Sequence, residues 1–184
     1  MAVVINGTSG ITGNTGTLIS ATTIGVGGAT PSASGAGITF PATQSASTDA
    51  NTLDDYEEGS WTGALVSVYG SFTGITSFVE GTYTKMGNLV YVQGIFLAPS
   101  APAVDVTVDR GNFNGLPFTT KSTNGQGGQP GTGTAMCLNS TGGNTGAMFT
   151  IGVTDNSTSF NIWGVAEHSS ATLNYVSFGL VYST

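Results

Sequence analysis

From Trp61 onward, apolar and polar residues alternate in short runs separated by turn residues. The run WTGALVSVYG (61–70) alternates, and GTYTKMGNLVYVQGIFLAP (81–99) reads as two strands joined at Met86-Gly87-Asn88, a hairpin signal. In AVDVTVD (103–109), Val104, Val106 and Val108 fall on one face and Asp105, Thr107 and Asp109 on the other, the pattern of a half-buried strand. Further strands are predicted at TAMCLN (134–139), AMFTIGVT (147–154), SFNIWGVA (159–166) and LNYVSFGLVYS (173–183). Gly, Asn and Ser turns separate them, and no helical period runs longer than one turn. The expected fold is all-β, an antiparallel, jelly-roll-like β-sandwich over residues 60–184. STNGQGGQPGTGT (122–134), the longest low-complexity interruption, is expected as a surface loop.

Residues 1–48 contain no charged side chain. Short β-prone pieces, AVVI, TLIS, TTIGV and GITF, alternate with Gly, Ser and Thr, each too short to bury a core of its own. Two readings stand: a flexible linker, or an extended anchoring arm whose strands pair with another chain.

Composition narrows the class. Charged residues make up 7% of the chain against an average near 25%, while Gly reaches 29 residues and Ser and Thr recur throughout. Extended β-structure is what such a chain most often means. The net charge of −7, with Lys85, Arg110 and Lys121 as the fixed cations, argues against a nucleic-acid partner and against an anionic membrane surface. No stretch has the ~20 apolar residues of a membrane span, and the start MAVVINGTSG lacks a basic, long-apolar leader, so synthesis in a cytoplasm is expected. A single cysteine, Cys137, excludes an internal disulfide and a cysteine-based zinc site. With exposed strand edges and few charges, closed symmetric association is expected to cover those edges.

Between the uncharged segment and the first strand lies PATQSASTDANTLDDYEEGSWTG (41–63), which holds five of the ten acidic residues between Asp49 and Glu58. Pro41 ends an extended segment because it cannot donate to a ladder. SASTDAN offers side chains that satisfy local backbone groups in turns. TLDDYEEG is predicted to make one helical turn, capped by Thr52 with Asp54 and Asp55 in its first turn. Leu53, Tyr56 and Trp61 would lie against the β domain, and Asp54, Asp55, Glu57 and Glu58 would face water or a neighbouring chain. Residues 49–59 are thus expected to act as an acidic hinge.

The order of GITFPATQSASTDANTLDDYEEGSWTG, GTYTKMGNLVYVQGIF and GNFNGLPFTT, over about residues 37–120, resembles small tail-fibre-like and decoration-like structural proteins of tailed bacteriophages. The resemblance implies a homotrimeric virion protein without a cofactor. It would be fastened to other virion proteins of capsid or tail by its N-terminal arm and displayed on the virion surface. The alternative within reach of the same resemblance is a tail fibre or receptor-binding adhesin that contacts a host surface receptor.

Catalytic chemistry finds little support. Cys137 and His168, with Glu167 and Asp155 as orienting acids, follow the order of a cysteine hydrolase, but a triad is defined by geometry and not by order. Cys137 within TAMCLN reads more simply as a small apolar residue. The carboxylates at 54–58 lack the alternating spacing of the twelve-residue calcium loop, so no metal is assigned to them. The expectation is a non-enzymatic protein with no catalytic, cofactor or metal residues. Its sites of interest are Pro41, Leu53, Asp54, Asp55, Tyr56, Glu57, Glu58 and Trp61.

Overall fold

The computed structural model describes residues 22–43, 47–49, 51–53, 55–69, 77–97, 110–124, 129–138, 144–164 and 175–184. The chain divides into two units, Met1–Ser45 and Ala46–Thr184, each taken by itself.

In the first unit β1 (Thr23–Gly25) and β2 (Gly37–Thr39) form a two-stranded parallel ribbon with Ile24 opposite Ile38. Parallel neighbours need a crossover rather than a tight turn. Residues 26–36 provide it, turning through Gly27 and Gly28 at φ 59° and 81°. The Thr23 hydroxyl donates to Ser32 O at 2.8 Å, and Ser32 N–H donates to the Thr39 hydroxyl at 3.0 Å. TTIGV and GITF, expected as strand pieces, therefore pair with one another within the chain. Pro41 follows β2, half-buried, with its ring beside Gly27. The pieces at 2–5 and 17–20 lie outside the described residues.

Among its described residues the second unit has nine strands and no helix. They are β3 (Tyr56–Ser60), β4 (Ala64–Tyr69), β5 (Ser77–Met86), β6 (Leu89–Leu97), β7 (Arg110–Asn114), β8 (Gly131–Leu138), β9 (Asn144–Val153), β10 (Phe160–Gly164) and β11 (Tyr175–Ser183). They form one antiparallel sheet in the order β3-β5-β6-β11-β8-β9-β10-β7-β4.

Two observations require this sheet to curl. The edge strands β3 and β4 are joined by residues 61–63 alone, a link that spans at most ~14 Å, whereas the edges of a flat nine-stranded sheet would stand ~38 Å apart. Phe96 on β6 and Phe113 on β7 would be ~24 Å apart in a flat sheet. Their ring centroids are 4.5 Å apart. The concave face thus closes on itself around Phe96, Phe113, Phe149, Phe160, Phe178 and Tyr182, which are all buried.

Trp61 seals the seam from the link between the two edges. Its backbone N–H donates to Gly81 O at 3.0 Å, its indole N–H donates to Gln93 O at 3.1 Å, and its ring packs on Phe78 at 4.8 Å. Glycine makes room for these rings. A Cβ on Gly81 would lie 2.5 Å from the Trp61 indole nitrogen, and one on Gly94 2.8 Å from the Phe178 ring. Part of the chain's glycine content is therefore packing space rather than flexibility.

The hairpin predicted at 86–88 is present. Met86 pairs with Leu89 across the two-residue turn Gly87-Asn88, and Gly87 takes φ 57°, the positive first position of a primed turn. The strands expected in 134–139, 147–154, 159–166 and 173–183 correspond to β8 to β11. Two expectations meet a different outcome, the helical turn and the extent of the long loop, and two strand features were not expected, β7 and the early start of β5. Tyr56–Ser60 is an edge strand and not part of a helical turn. Arg110–Asn114, with Phe113 as its one large apolar residue, is a strand between β10 and β4. β5 starts at Ser77 with a bulge between Phe78 and Glu80, ahead of the run recognised in the sequence. Residues 131–133, assigned to the long loop alone, open β8 and pair with β11. The strand expected at 103–109 lies outside the described residues.

Candidate functional site: the acidic junction

The acidic run enters the β domain through local turns and then joins the sheet. Asp49 N–H donates to the Ser47 hydroxyl at 3.1 Å, Asn51 N–H donates to Asp49 Oδ1 at 2.8 Å, and Thr52 N–H donates to Asp49 O at 3.1 Å. Ser and Asp side chains thus satisfy the backbone there, as SASTDAN predicts.

From Tyr56 the chain pairs with β5 in the register Tyr56–Met86, Glu57–Lys85, Glu58–Thr84, Gly59–Tyr83 and Ser60–Thr82. A lone helical turn would leave its first N–H groups without intrahelical partners at the full cost of nucleation. The free edge of β5 instead offers a ladder over five residues. Gly59 helps it, because a Cβ there would come within 2.9 Å of the Tyr83 ring.

Asp55 anchors this entry. It is buried, as is Lys85, and the Lys85 ammonium donates to its carboxylate in an ion pair. Gly87 N–H donates to Asp55 O at 2.9 Å, so the hairpin turn and the acidic run are tied together. The Lys85 ammonium also lies 5.5 Å from the centroid of Phe118, whose ring meets Tyr83 edge-on at 5.3 Å. Phe118 N–H donates to the Tyr182 hydroxyl at 3.3 Å. A buried ion pair contributes little net stability when compared with apolar residues of the same volume, but either partner alone is strongly unfavourable. The pair therefore acts mainly as a register lock for β3.

The other acidic residues are dispersed. The Tyr83 hydroxyl donates to Glu57 Oε1, and the Tyr56 hydroxyl donates to Glu58 Oε2 at 2.9 Å. Both carboxylates are on exposed residues of the edge strand, where charge discourages further strand pairing. The bond to Glu57, followed by burial and the Glu57 charge, pushes the Tyr83 phenol up to about 12. Burial raises Tyr182 well above its ordinary value, against the opposing Phe118 N–H.

A pH dependence follows. Tyr83 holds its proton more tightly folded than unfolded, so its contribution is complete below the ordinary phenol value near 10 and is lost as pH rises from there through about 12. Melting followed over that window should show a decline that is less steep in Tyr83→Phe. An unchanged slope in that variant would remove Tyr83 as its source.

The sequence-predicted site residues separate accordingly. Trp61 is in the core as expected. Leu53 and Tyr56, expected against the domain, are exposed at 61% and 38%, because strand pairing turns Tyr56 to the outer face. Asp55, expected to face water or a neighbour, is buried by Lys85. Glu57 and Glu58 are both exposed, Glu58 on the outer face with Tyr56 and Glu57 on the same side of the sheet as Lys85 and Tyr83; Pro41 lies in the first unit, and Asp54 is outside the described residues. Lys85, named in the sequence only as a cation, and Tyr83 and Phe118 were not identified there as site residues. Counting alternate positions from Gly81 places Tyr83 and Lys85 on one inward face, and an inward lysine among three cations signals a buried carboxylate partner.

Of the hydrolase candidates, Asp155 accepts Thr123 N–H at 2.6 Å between β9 and β10. Cys137 stands opposite Val176 in the ladder. Glu167 and His168 lie outside the described residues. Among the described residues, no three His, Cys, Asp or Glu side chains converge as a metal site would require. Compared with models of known protein families and with curated proteins, the chain matches none.

Proposed function

We propose that this chain is a non-enzymatic structural protein of a tailed bacteriophage virion, a homotrimeric surface fibre or capsid decoration protein held to the particle through residues 1–48. The observation that carries this reading is the Asp55–Lys85 lock. It sets the entry of the acidic run at one fixed edge of a β domain whose interior is filled by aromatic side chains. A segment that only tethered two units would not need a buried ion pair at its landing point. The rings of Phe96 and Phe113, drawn from distant strands, meet as the inner faces of a sandwich do. The resemblance of residues 37–120 to tail-fibre-like and decoration-like proteins supplies the virion context.

Deleting residues 1–48 should abolish incorporation into particles while leaving the melting temperature of the remainder within a degree or so, as expected for removal of a segment outside the domain's core. Truncated protein that still decorates particles at the normal level would refute attachment through the arm.

A further inference from the structure

Lys85 and Asp55 hold more chemistry than a register lock uses. An amine and a carboxyl group thirty residues apart in the chain are brought into contact and buried together, 3% and 7% exposed. Their surroundings are aromatic: Phe118 lies over the Lys85 nitrogen, and Tyr83, two residues before Lys85 on the same face, meets Phe118 edge-on. With little solvent to stabilise either charge, the pair is eased by passing one proton from nitrogen to oxygen, which leaves a neutral amine against a neutral carboxylic acid. A desolvated lysine amine is a nucleophile. A second carboxylate completes the set. Glu57 stands directly opposite Lys85 in the β3–β5 ladder, on the side of the sheet from which Asp55 reaches it, and side chains so paired have Cβ atoms ~5 Å apart. Glu57 Oε1 accepts the Tyr83 hydroxyl, which holds this carboxylate on that side.

We infer that Lys85 and Asp55 condense after folding into a side-chain amide, an isopeptide cross-link between β5 and the residue that leads into β3. The neutral Nζ attacks Asp55 Cγ. The Nζ–Cγ bond forms, Nζ gives up one proton, the bond from Cγ to the hydroxyl breaks, and hydroxyl and proton leave as one water; nothing is oxidised or reduced. Glu57 carries the proton from Nζ to the departing hydroxyl and ends ionised, as it began. Well-oriented groups in one molecule reach effective concentrations of about 10⁵–10⁸ M, so no activated ester is needed. The product also removes two charges from the interior. Folding comes first, because the strand register is what brings residues 55 and 85 together. A chain that has folded and not yet condensed carries the ion pair, and a condensed chain carries the same register covalently, with the unfolded state constrained by the closed loop. This chemistry is independent of the virion reading.

Mass spectrometry of the full chain, denatured for measurement, tests it. The folded protein should be lighter than its sequence by one water, whereas an ion pair alone leaves the mass unchanged. Trypsin, which needs an unmodified lysine, should then cut the denatured chain after Arg110 and Lys121 but not after Lys85. Chain kept in denaturant from synthesis onward should have the full mass and should lose the water only after refolding. Lys85→Arg keeps a cation for Asp55 and should stay at full mass. Asp55→Asn should lose ammonia instead of water and arrive at the wild-type product. Glu57→Gln should fold with unchanged β-type circular dichroism and condense at least tenfold more slowly, an effect that a purely structural Glu57 would not produce. Folded wild-type protein at full mass, cut after Lys85, overturns the cross-link. Water loss that persists in Lys85→Arg overturns the assignment to this pair, and condensation at the wild-type rate in Glu57→Gln overturns Glu57 as the proton carrier.

Discussion

Lys85→Met should lower stability by about 3–5 kcal/mol, the cost of leaving one partner of a buried pair uncompensated. The carboxylate of Asp55 is buried and receives the Lys85 ammonium, so the substitution strands a charge beneath the β5–β6 hairpin. Asp55→Leu should cost a similar amount by stranding the ammonium. The double variant should recover much of the loss, since two apolar side chains of suitable volume can replace a buried pair at little net cost. Chemical denaturation of the four proteins reads the coupling directly. Additive losses in the double variant would show that the two groups do not act on each other. The lock predicts where damage appears first: β3 should lose amide protection ahead of β6 and β11.

Phe113→Ala should cost about 3–5 kcal/mol, in the range of deleting a fully buried aromatic ring. Phe113 is completely buried on the short strand β7, stacked on Phe160 at 5.1 Å and against Phe96 at 4.5 Å. It joins strands from opposite sides of the curl, so its removal should loosen closure of the sheet rather than one hairpin. Thermal melting against Val66→Ala, an exposed bulge position on β4, gives the comparison. Equal effects in the two variants would contradict the closure described for the core.

What could be read from the sequence and what could not divide along local and non-local lines. The β5–β6 hairpin was legible because its turn residue, Gly87, and the flanking alternation are contiguous. The strands from β8 to β11 were legible for the same reason. β7 was not, because RGNFN holds a single large apolar residue and owes its strand character to β10 and β4 on either side. The helical turn expected after Thr52 was overturned by tertiary context: YEEGS has weak intrinsic preference for a strand, and the open edge of β5 decides it. The burial of Asp55 depends on Lys85, thirty residues away. Trp61 was placed correctly, since an aromatic residue at the head of an alternating run is most often core. The curl itself follows from strand order, which no local pattern encodes.

Particles assembled with the full chain and with the chain lacking residues 1–48, imaged by electron cryomicroscopy and subtracted, test the proposed function most directly. The account predicts three-fold difference density on the virion surface, large enough for three copies of the β domain and present only with the full chain. Particles that lack this chain altogether, or that carry the same density with and without residues 1–48, would contradict it.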